Sequence, residues 1–230
     1  MSLACIVFAA KAPRIALGYT AALTLRPTSH EIEVKLDVPN LLSLVEQIRR
    51  LGASCVGRVF EQNIIFDTSD SDFRSAGCLL RLRIETPAKS EFAPAGRGCQ
   101  TITSKAPVPS SSAKGSHSKS LSKYKDRLET ERVVPPSRNW PRILSGLGFV
   151  PGFRYEKYRT SFRLPGIHLD LDETPAGTFL ELEGNPTSID RTARKLGYSS
   201  RDYIRLTYWE LYAADCRRRG VKPGDMVFDT

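Results

Sequence analysis

The chain has 230 residues, 40% of them hydrophobic and 26% charged, and its formal net charge is +9 at pH 7. This composition fits one soluble domain with a sizeable buried core, and the excess of basic residues predicts an anionic partner. The five cysteines show no CxxC spacing and no apolar run approaches the ~20 residues of a membrane span, which argues against a disulfide scaffold and a spanning helix.

The first 29 residues contain no Asp or Glu and are predicted to form a disordered extension ahead of the folded domain. The apolar stretch Leu3–Ala10 has no basic residue before it, which argues against a secretory signal, whereas a transit peptide stays open. An odd number of cysteines suits a reducing compartment, so we expect a cytoplasmic protein that has no membrane partner.

Alternating polar and apolar residues predict the first strand at His30–Asp37. Pro39–Leu51 then carries the apolar stripe of an amphipathic helix, which Gly52 can end. Further strands are predicted at Cys55–Thr68, Leu79–Glu85, Gln100–Lys105 and Asp126–Val134. Before the last of these, Ala106–Lys123 is rich in Ser and Lys and is predicted to be a mobile insertion.

The rest of the chain completes the element pattern with strands joined by short Pro/Gly turns. The strands are predicted at Phe153–Leu164, Ile167–Asp172 and Thr178–Glu183. Helices are predicted at Pro136–Leu147, Thr187–Leu196 and Ser200–Arg218. Eight strands and a few amphipathic helices predict an α+β domain over residues 30–216, built on an antiparallel sheet, with 217–230 as a C-terminal tail.

The charged residues of these strands fall on one face of the predicted sheet, because residues two apart in a strand point the same way. The other face is apolar and would be covered by the helices. A solvated, charged sheet face is the ordinary alternative, but eight strands are enough to close a barrel, which would put the charged face inside. Asp170 and Asp172 share this face on one strand.

The composition of the face points to phosphate chemistry, since acids cluster on some strands and arginines on others. Carboxylate clusters suit Mg²⁺ or Mn²⁺, and arginine forks match phosphate oxygens bidentately. Carboxylates for a metal ion and arginines for phosphate are together the side chains that a phosphoryl-transfer site uses.

The motifs, taken in order, resemble those of the CYTH, or triphosphate tunnel metalloenzyme, superfamily. They are ExExK (Glu31–Lys35), FDT (Phe66–Thr68), LRLR (Leu80–Arg83), TxTxK (Thr101–Lys105), RxExE (Arg127–Glu131), EKYR (Glu156–Arg159), LDE (Leu171–Glu173) and ELE (Glu181–Glu183). The resemblance covers about residues 30–212 and implies a closed eight-stranded β-tunnel with helices packed outside. The superfamily includes class IV adenylyl cyclases, thiamine triphosphatases and inorganic triphosphatases.

The resemblance also implies roles for the charged residues and a divalent cofactor, Mg²⁺ or Mn²⁺. The implied metal-binding residues are Glu31, Glu33, Glu129, Glu131, Asp172, Glu181 and Glu183. The implied substrate-binding residues are Lys35, Arg81, Arg83, Lys105, Arg127, Lys157 and Arg159. The residues expected to be catalytic are Glu31, Glu33, Lys35 and Arg159.

These residues favour a metal-dependent triphosphatase acting on tripolyphosphate, ATP or thiamine triphosphate. A class IV adenylyl cyclase uses the same apparatus, but no residue can be named for adenine recognition, and Trp209 and Tyr208 are interpreted as helix packing. A non-catalytic polyphosphate- or RNA-binding module is the alternative of a different class, and it is disfavoured because a pure anion binder does not need the acidic clusters. A nucleic-acid partner is therefore not expected. The oligomeric state stays open, with a homodimer as one alternative.

Overall fold

The computed structural model describes residues 29–108 and 123–229. Within these residues, eight antiparallel strands form a closed barrel in the order β1-β5-β4-β3-β2-β6-β7-β8. The strands are β1 (Ser29–Asp37), β2 (Ser54–Asp67), β3 (Leu79–Ala88), β4 (Gln100–Pro107), β5 (Lys125–Val134), β6 (Val150–Leu164), β7 (Ile167–Thr174) and β8 (Gly177–Gly184). The predicted fold class is confirmed.

Five α-helices accompany the barrel in the described part of the chain. They are α1 (Leu41–Arg50), α2 (Asp72–Ser75), α3 (Trp140–Gly146), α4 (Pro186–Lys195) and α5 (Tyr208–Arg219). None of the described helices is both long and apolar enough to cross a membrane. Side-chain caps set two of the helix starts, since Asn40 accepts a hydrogen bond from Ser43 N and Asn185 accepts one from Ser188 N.

The main hydrophobic core lies between the outer face of the barrel and the helices α1 and α4. Leu169, Leu171, Leu180 and Leu182 are fully buried there, together with Ile48 of α1. Each such side chain contributes roughly 1.5–3 kcal/mol when it is fully buried. Because neighbours along a strand point to opposite faces, covering these leucines commits the intervening charged residues to the barrel interior.

Strand β1 closes the barrel by pairing with β5 on one side and with β8 on the other. Its residue Glu31 lies opposite Arg127, and Glu33 lies opposite Glu183. The register therefore places two carboxylates side by side across the β1–β8 seam.

The single helix predicted over Ser200–Arg218 is wrong. A 3₁₀ turn covers Ser200–Asp202, and the next residues are extended until α5 starts at Tyr208. The break arises because Ile204 exchanges two backbone hydrogen bonds with Lys35 of β1, at 2.8 and 3.2 Å. The short helix α2 was also missed, since no element was predicted between Thr68 and Leu79.

The C-terminal segment 217–230 was set apart as a tail, but its described part packs on the barrel. Met226 is fully buried, and it exchanges backbone hydrogen bonds of 2.9 Å with Arg154 and Glu156 of β6. Of the predicted insertion 106–123, Ala106 and Pro107 belong to β4, and Lys123 pairs with Asp190 at 2.7 Å. Most of that insertion and nearly all of the N-terminal extension lie outside the described residues.

Candidate active site

A cavity of about 840 Å³ fills the barrel interior, and every strand contributes to its lining. This volume is in the range of small-molecule sites, about 300–1,000 Å³. All but one of the sequence-predicted site residues line it. They are Glu31, Glu33, Lys35, Arg81, Arg83, Lys105, Arg127, Glu129, Glu131, Lys157, Arg159, Glu181 and Glu183.

The exception is Asp172, which is fully buried behind the cavity wall. Its carboxylate accepts hydrogen bonds from Lys157 Nζ at 2.8 Å, from Arg159 at 2.6 and 2.7 Å, and from Tyr208 Oη at 2.6 Å. Three donor groups already share its two oxygens. This leaves Asp172 poorly placed to coordinate a metal ion and well placed to orient the two cations.

Glu61 of β2 also orients cations of the wall, three instead of two. The sequence analysis missed this residue. This fully buried carboxylate lies 3.4 Å from Lys157 Nζ, 3.5 Å from Arg159 Nε and 3.8 Å from Arg83 Nε. Burial alone would raise the pKa of Glu61, but these cations hold it well below its ordinary value. The available signal was the alternation Glu61–Asn63–Ile65, which puts all three on the inner face of β2.

The basic part of the wall contains Arg81 and Arg83 of β3. Arg81 is 6% exposed, and it donates hydrogen bonds of 3.3 Å to Tyr155 Oη and Thr103 Oγ1. Burial opposes the charge of Arg83, yet Glu61 outweighs it and raises the pKa of the guanidinium. Both side chains are thus held rigid and charged, as a phosphate-binding group requires.

The acidic part of the wall contains Glu31, Glu33 and Glu183, whose charges are balanced to different degrees. Burial and neighbouring carboxylates raise the pKa of Glu183 to about 7. Burial also raises the pKa of Glu31, although Lys105 Nζ lies 2.6 Å from both of its oxygens. Burial would raise the pKa of Glu33 too, but Lys125, whose Nζ lies 2.9 Å from Glu33 Oε1, and further lysines lower this pKa to about 2.

These carboxylates differ in how far neighbouring cations compensate their charge. The pKa values of Glu31 and Glu183 are raised, so an added cation would stabilise their ionised forms, although Lys105 already pairs with Glu31. Glu33 and Glu181 are already paired with Lys125 and Lys35, the latter at 2.9 Å. No group of three or more His, Cys, Asp or Glu side chains in residues 29–108 and 123–229 has the spacing of a formed metal site.

Helix α5 supplies two aromatic side chains to the cavity lining, Tyr208 and Trp209. The ammonium of Lys35 lies 4.6 Å from the centre of the Tyr208 ring, and that of Lys157 lies 5.1 Å from it. Burial and the nearby Asp172 raise the pKa of Tyr208 well above its usual value, so it stays a neutral hydrogen-bond donor. The interpretation of these two residues as packing alone was therefore incomplete.

Residues 29–208 match the CYTH domain family. The chain belongs to this family. This CYTH domain is 26% identical over 194 residues to a curated protein of Methanocaldococcus jannaschii named "Putative adenylate cyclase MJ0240", and the match covers 79% of this chain and 97% of that protein. The resemblance carried by the eight motifs is confirmed.

Solved structures share the tunnel fold of this CYTH domain. PH1012 from Pyrococcus horikoshii OT3 is 25% identical with a TM-score of 0.61, over 79% of this chain and 98% of that chain. A Vibrio parahaemolyticus protein described as a "putative adenylate cyclase" is 17% identical with a TM-score of 0.63, over 80% of this chain and 97% of that chain. The second likeness bears on the fold alone.

Proposed function

We propose that this CYTH domain protein is a metal-dependent triphosphatase. The observation that carries the proposal is the barrel cavity, whose wall combines seven buried or half-buried cations with a cluster of carboxylates that lysines pair with at its edge. The cations are Lys35, Arg81, Arg83, Lys105, Arg127, Lys157 and Arg159. A triphosphate is a compact polyanion, and fixed cations in a site that excludes bulk water bind it far more strongly than exposed ones do.

The cations would also lower the barrier of the reaction itself. A water oxygen forms a bond to the terminal phosphorus, the anhydride P–O bond breaks, and the water proton passes to solvent. Arg81, Arg83 and Arg159 are held in place before the substrate arrives, so they stabilise the charge that develops on the phosphoryl and leaving oxygens without first reorganising. Lys35, held by Glu181, adds a further fixed positive charge.

Glu31 and Glu183 would hold the divalent ion. Glu129 lies near the same cluster, because its carboxylate is 3.3 Å from Lys105 Nζ, which also pairs with Glu31. A bound Mg²⁺ or Mn²⁺ would polarise the phosphate oxygens and neutralise part of their charge. The protein side chains themselves bind, orient and enclose the substrate.

A class IV adenylyl cyclase is the second candidate, because the Methanocaldococcus jannaschii relative carries an adenylate cyclase name. In a cyclase the ribose hydroxyl replaces water as the nucleophile and attacks the α-phosphorus. Base-specific contacts and exclusion of water would then be needed. A hydrolase needs only the phosphate clamp, the metal ion and a positioned water, so we favour the hydrolase.

Incubation with Mg²⁺ or Mn²⁺ and, separately, tripolyphosphate or ATP tests the proposal. Orthophosphate released from tripolyphosphate is the expected result. Cyclic AMP and pyrophosphate formed from ATP, with tripolyphosphate left intact, would establish the cyclase instead.

A further inference from the structure

The net charge of +9 does not come from the barrel interior. Among the described residues, the cavity lining contains ten Lys or Arg side chains and ten Asp or Glu side chains, so their charges cancel. In the described part of the chain the excess lies on the surface, in residues 186–222. Nine exposed Lys or Arg residues are found there, with only three acidic residues outside the cavity lining. An anionic partner of this surface would explain the excess.

Helix α4 presents cations and hydroxyl groups to solvent. Its buried residues Ile189, Thr192 and Ala193 recur at helical spacing and pack toward the barrel. By the same spacing, the opposite face carries Thr187, Ser188, Arg191, Arg194 and Lys195. Within this described helix, that face has neither a carboxylate nor an apolar side chain, and each of its side chains can donate a hydrogen bond.

The position of these cations is only partly explained by helix stability. Arg194 and Lys195 lie in the last turn of α4, where the helix dipole favours positive charge. Arg191 lies three and four residues before them, and like charges at that spacing destabilise a helix. The dipole therefore does not account for Arg191, nor for the cations that other segments add.

Two other segments bring cations to the same surface. Lys123 Nζ and Tyr203 Oη both donate hydrogen bonds to the carboxylate of Asp190 in α4, at 2.7 and 2.9 Å. The ammonium of Lys123 also lies 5.7 Å from the centre of the Tyr203 ring. Arg205 follows Tyr203 by two residues in an extended segment, so their side chains point the same way. We call Lys123, Arg191, Arg194, Lys195 and Arg205 the α4 patch.

The chemistry of the α4 patch distinguishes between anionic partners. Arginine forks match phosphate oxygens, and Arg, Lys, Ser and Thr side chains make most of the phosphate contacts in protein–nucleic acid complexes. Membrane-bound helices also bury apolar side chains, and the cores of protein interfaces are enriched in aromatic ones. The solvent face of α4 offers neither kind, so a phosphate backbone fits it best.

We propose that the α4 patch binds the phosphate backbone of a nucleic acid on the outside of the barrel. This binding does not depend on the proposed triphosphatase activity, because α4 packs on the outer face of the barrel and not in the cavity. A nucleic-acid partner was not expected from the sheet residues, since carboxylates accompany their cations. The solvent face of α4 differs because it carries no carboxylate.

The test is fluorescence anisotropy of the full chain with short labelled RNA and DNA strands. Their 5′ ends carry a hydroxyl group, so they bring no triphosphate to the cavity. Both strands should bind at about 50 mM salt, and the affinity should fall steeply as salt is added. The variant Arg191→Ala/Arg194→Ala/Lys195→Ala should bind on the order of 100-fold more weakly. The slope of log affinity against log salt should become shallower by roughly 2, because each lost phosphate contact contributes about 0.7.

A matched control separates the α4 patch from the overall charge of the protein. Arg50→Ala/Lys89→Ala/Arg142→Ala also removes two arginines and one lysine from exposed positions, and it should retain most of the affinity. Alanine is the best helix former, so α4 should stay folded in the patch variant. An equal loss of affinity in the two triple variants would overturn the proposal, as would the absence of binding by the wild-type protein at about 50 mM salt.

Other anionic partners are tested with the same proteins. Tighter binding to vesicles of phosphatidylserine and phosphatidylcholine than to RNA would overturn the proposal in favour of a membrane surface. Poly-glutamate bound as tightly as RNA would overturn it in favour of an acidic protein. The patch variant should keep its tripolyphosphate affinity, whereas Arg81→Ala should weaken tripolyphosphate binding and leave RNA binding unchanged. The α4 patch and the proposed triphosphatase can therefore fail separately.

Discussion

Glu61 has no exposed surface, yet it remains ionised beneath the basic wall of the cavity. Three cations surround it, Arg83, Lys157 and Arg159, and each of them lines the cavity while Glu61 does not. A buried carboxylate in such a cluster orients its partners, because removing it would leave their charges uncompensated in a medium of low dielectric. We therefore propose that Glu61 is a positioning residue for the basic wall of the cavity.

Glu61→Gln should lower the free energy of unfolding by about 3–5 kcal/mol at pH 7, the cost of breaking a buried ion pair from one side. The folded-state pKa of Glu61 lies below its ordinary value of 4.5, so its stabilisation is present above that pH and is lost as the pH falls further. The difference between wild type and variant should therefore shrink below about pH 4.5, as measured by urea unfolding. Glu46→Gln, on the exposed face of α1, is the control. A difference that stayed constant from pH 7 to pH 3 would contradict this account.

Arg81 is buried and Arg83 is half-buried, and neighbouring side chains hold both guanidinium groups in the wall. Arg81→Ala or Arg83→Ala should weaken tripolyphosphate binding by about 1.5–3 kcal/mol, the range for a hydrogen bond to a charged group. Arg→Lys should restore only part of this, because the bidentate fork is lost. Arg201→Ala removes the same charge from an exposed site and should leave the affinity nearly unchanged. Unchanged calorimetric affinity in both cavity variants would show that they do not bind the phosphates.

At the scale of elements, helix α5 connects the end of the chain to the cavity. Its start is fixed by a capping box, in which Glu210 N donates to Thr207 Oγ1 at 3.2 Å and Thr207 N donates to Glu210 Oε2 at 2.7 Å. Its end is fixed by Gly220, whose φ of 70° favours glycine. The cap thus determines where Tyr208 and Trp209 enter the cavity wall.

Thr207→Ala should destabilise the protein by about 1 kcal/mol, because it removes the cap that satisfies the first turn of α5. Thr207→Ser keeps the hydroxyl and should retain most of the wild-type stability. Chemical denaturation of the three proteins measures the difference. If the alanine and serine variants unfolded at the same denaturant concentration, the cap would contribute no measurable stability.

At the scale of the whole molecule, closure of the barrel brings together cations and carboxylates that are far apart in the chain. Lys105 joins Glu31 to Glu129, and Arg159 contacts Asp170 and Asp172. A triphosphate entering this balanced interior adds several negative charges beside the acidic cluster. A divalent cation on that cluster would offset them, which links substrate binding to metal binding.

Removal of divalent ions with excess EDTA should therefore abolish triphosphate turnover, and Mg²⁺ or Mn²⁺ should restore it. Glu31→Ala should abolish turnover even with the metal present, while its thermal unfolding shows that the fold is retained. Glu46→Ala removes the same charge far from the cavity and should remain active. Full activity of the wild-type protein in excess EDTA would refute the metal requirement. Metal-independent binding that falls steeply with salt, without turnover, would instead indicate a polyanion-binding module.

The strands and the inward direction of their charges could be predicted from the sequence, because a period of two is a local property of the chain. Glu31, Glu33, Arg81 and Arg83 were assigned to the correct face for this reason. The resemblance of the motifs to those of the CYTH superfamily then predicted the closed tunnel. Alternation alone also fits an open sheet with a solvated, charged face. Local pattern was less reliable where a distant partner intervened, as when pairing of Ile204 with β1 ended the predicted C-terminal helix.

Only the tertiary structure decided which inward residue does what. Asp172 and Glu183 both lie on inner faces of neighbouring strands, yet Asp172 is saturated by Lys157, Arg159 and Tyr208, whereas the pKa of Glu183 rises to about 7. The difference depends on residues that are far apart in the chain and meet across the barrel, such as Tyr208 beside Asp172 and Glu31 beside Glu183, and a short-range periodicity does not predict such contacts. The charge and direction of a side chain are local properties, but its burial and its ion-pair partners follow from the closure of the sheet.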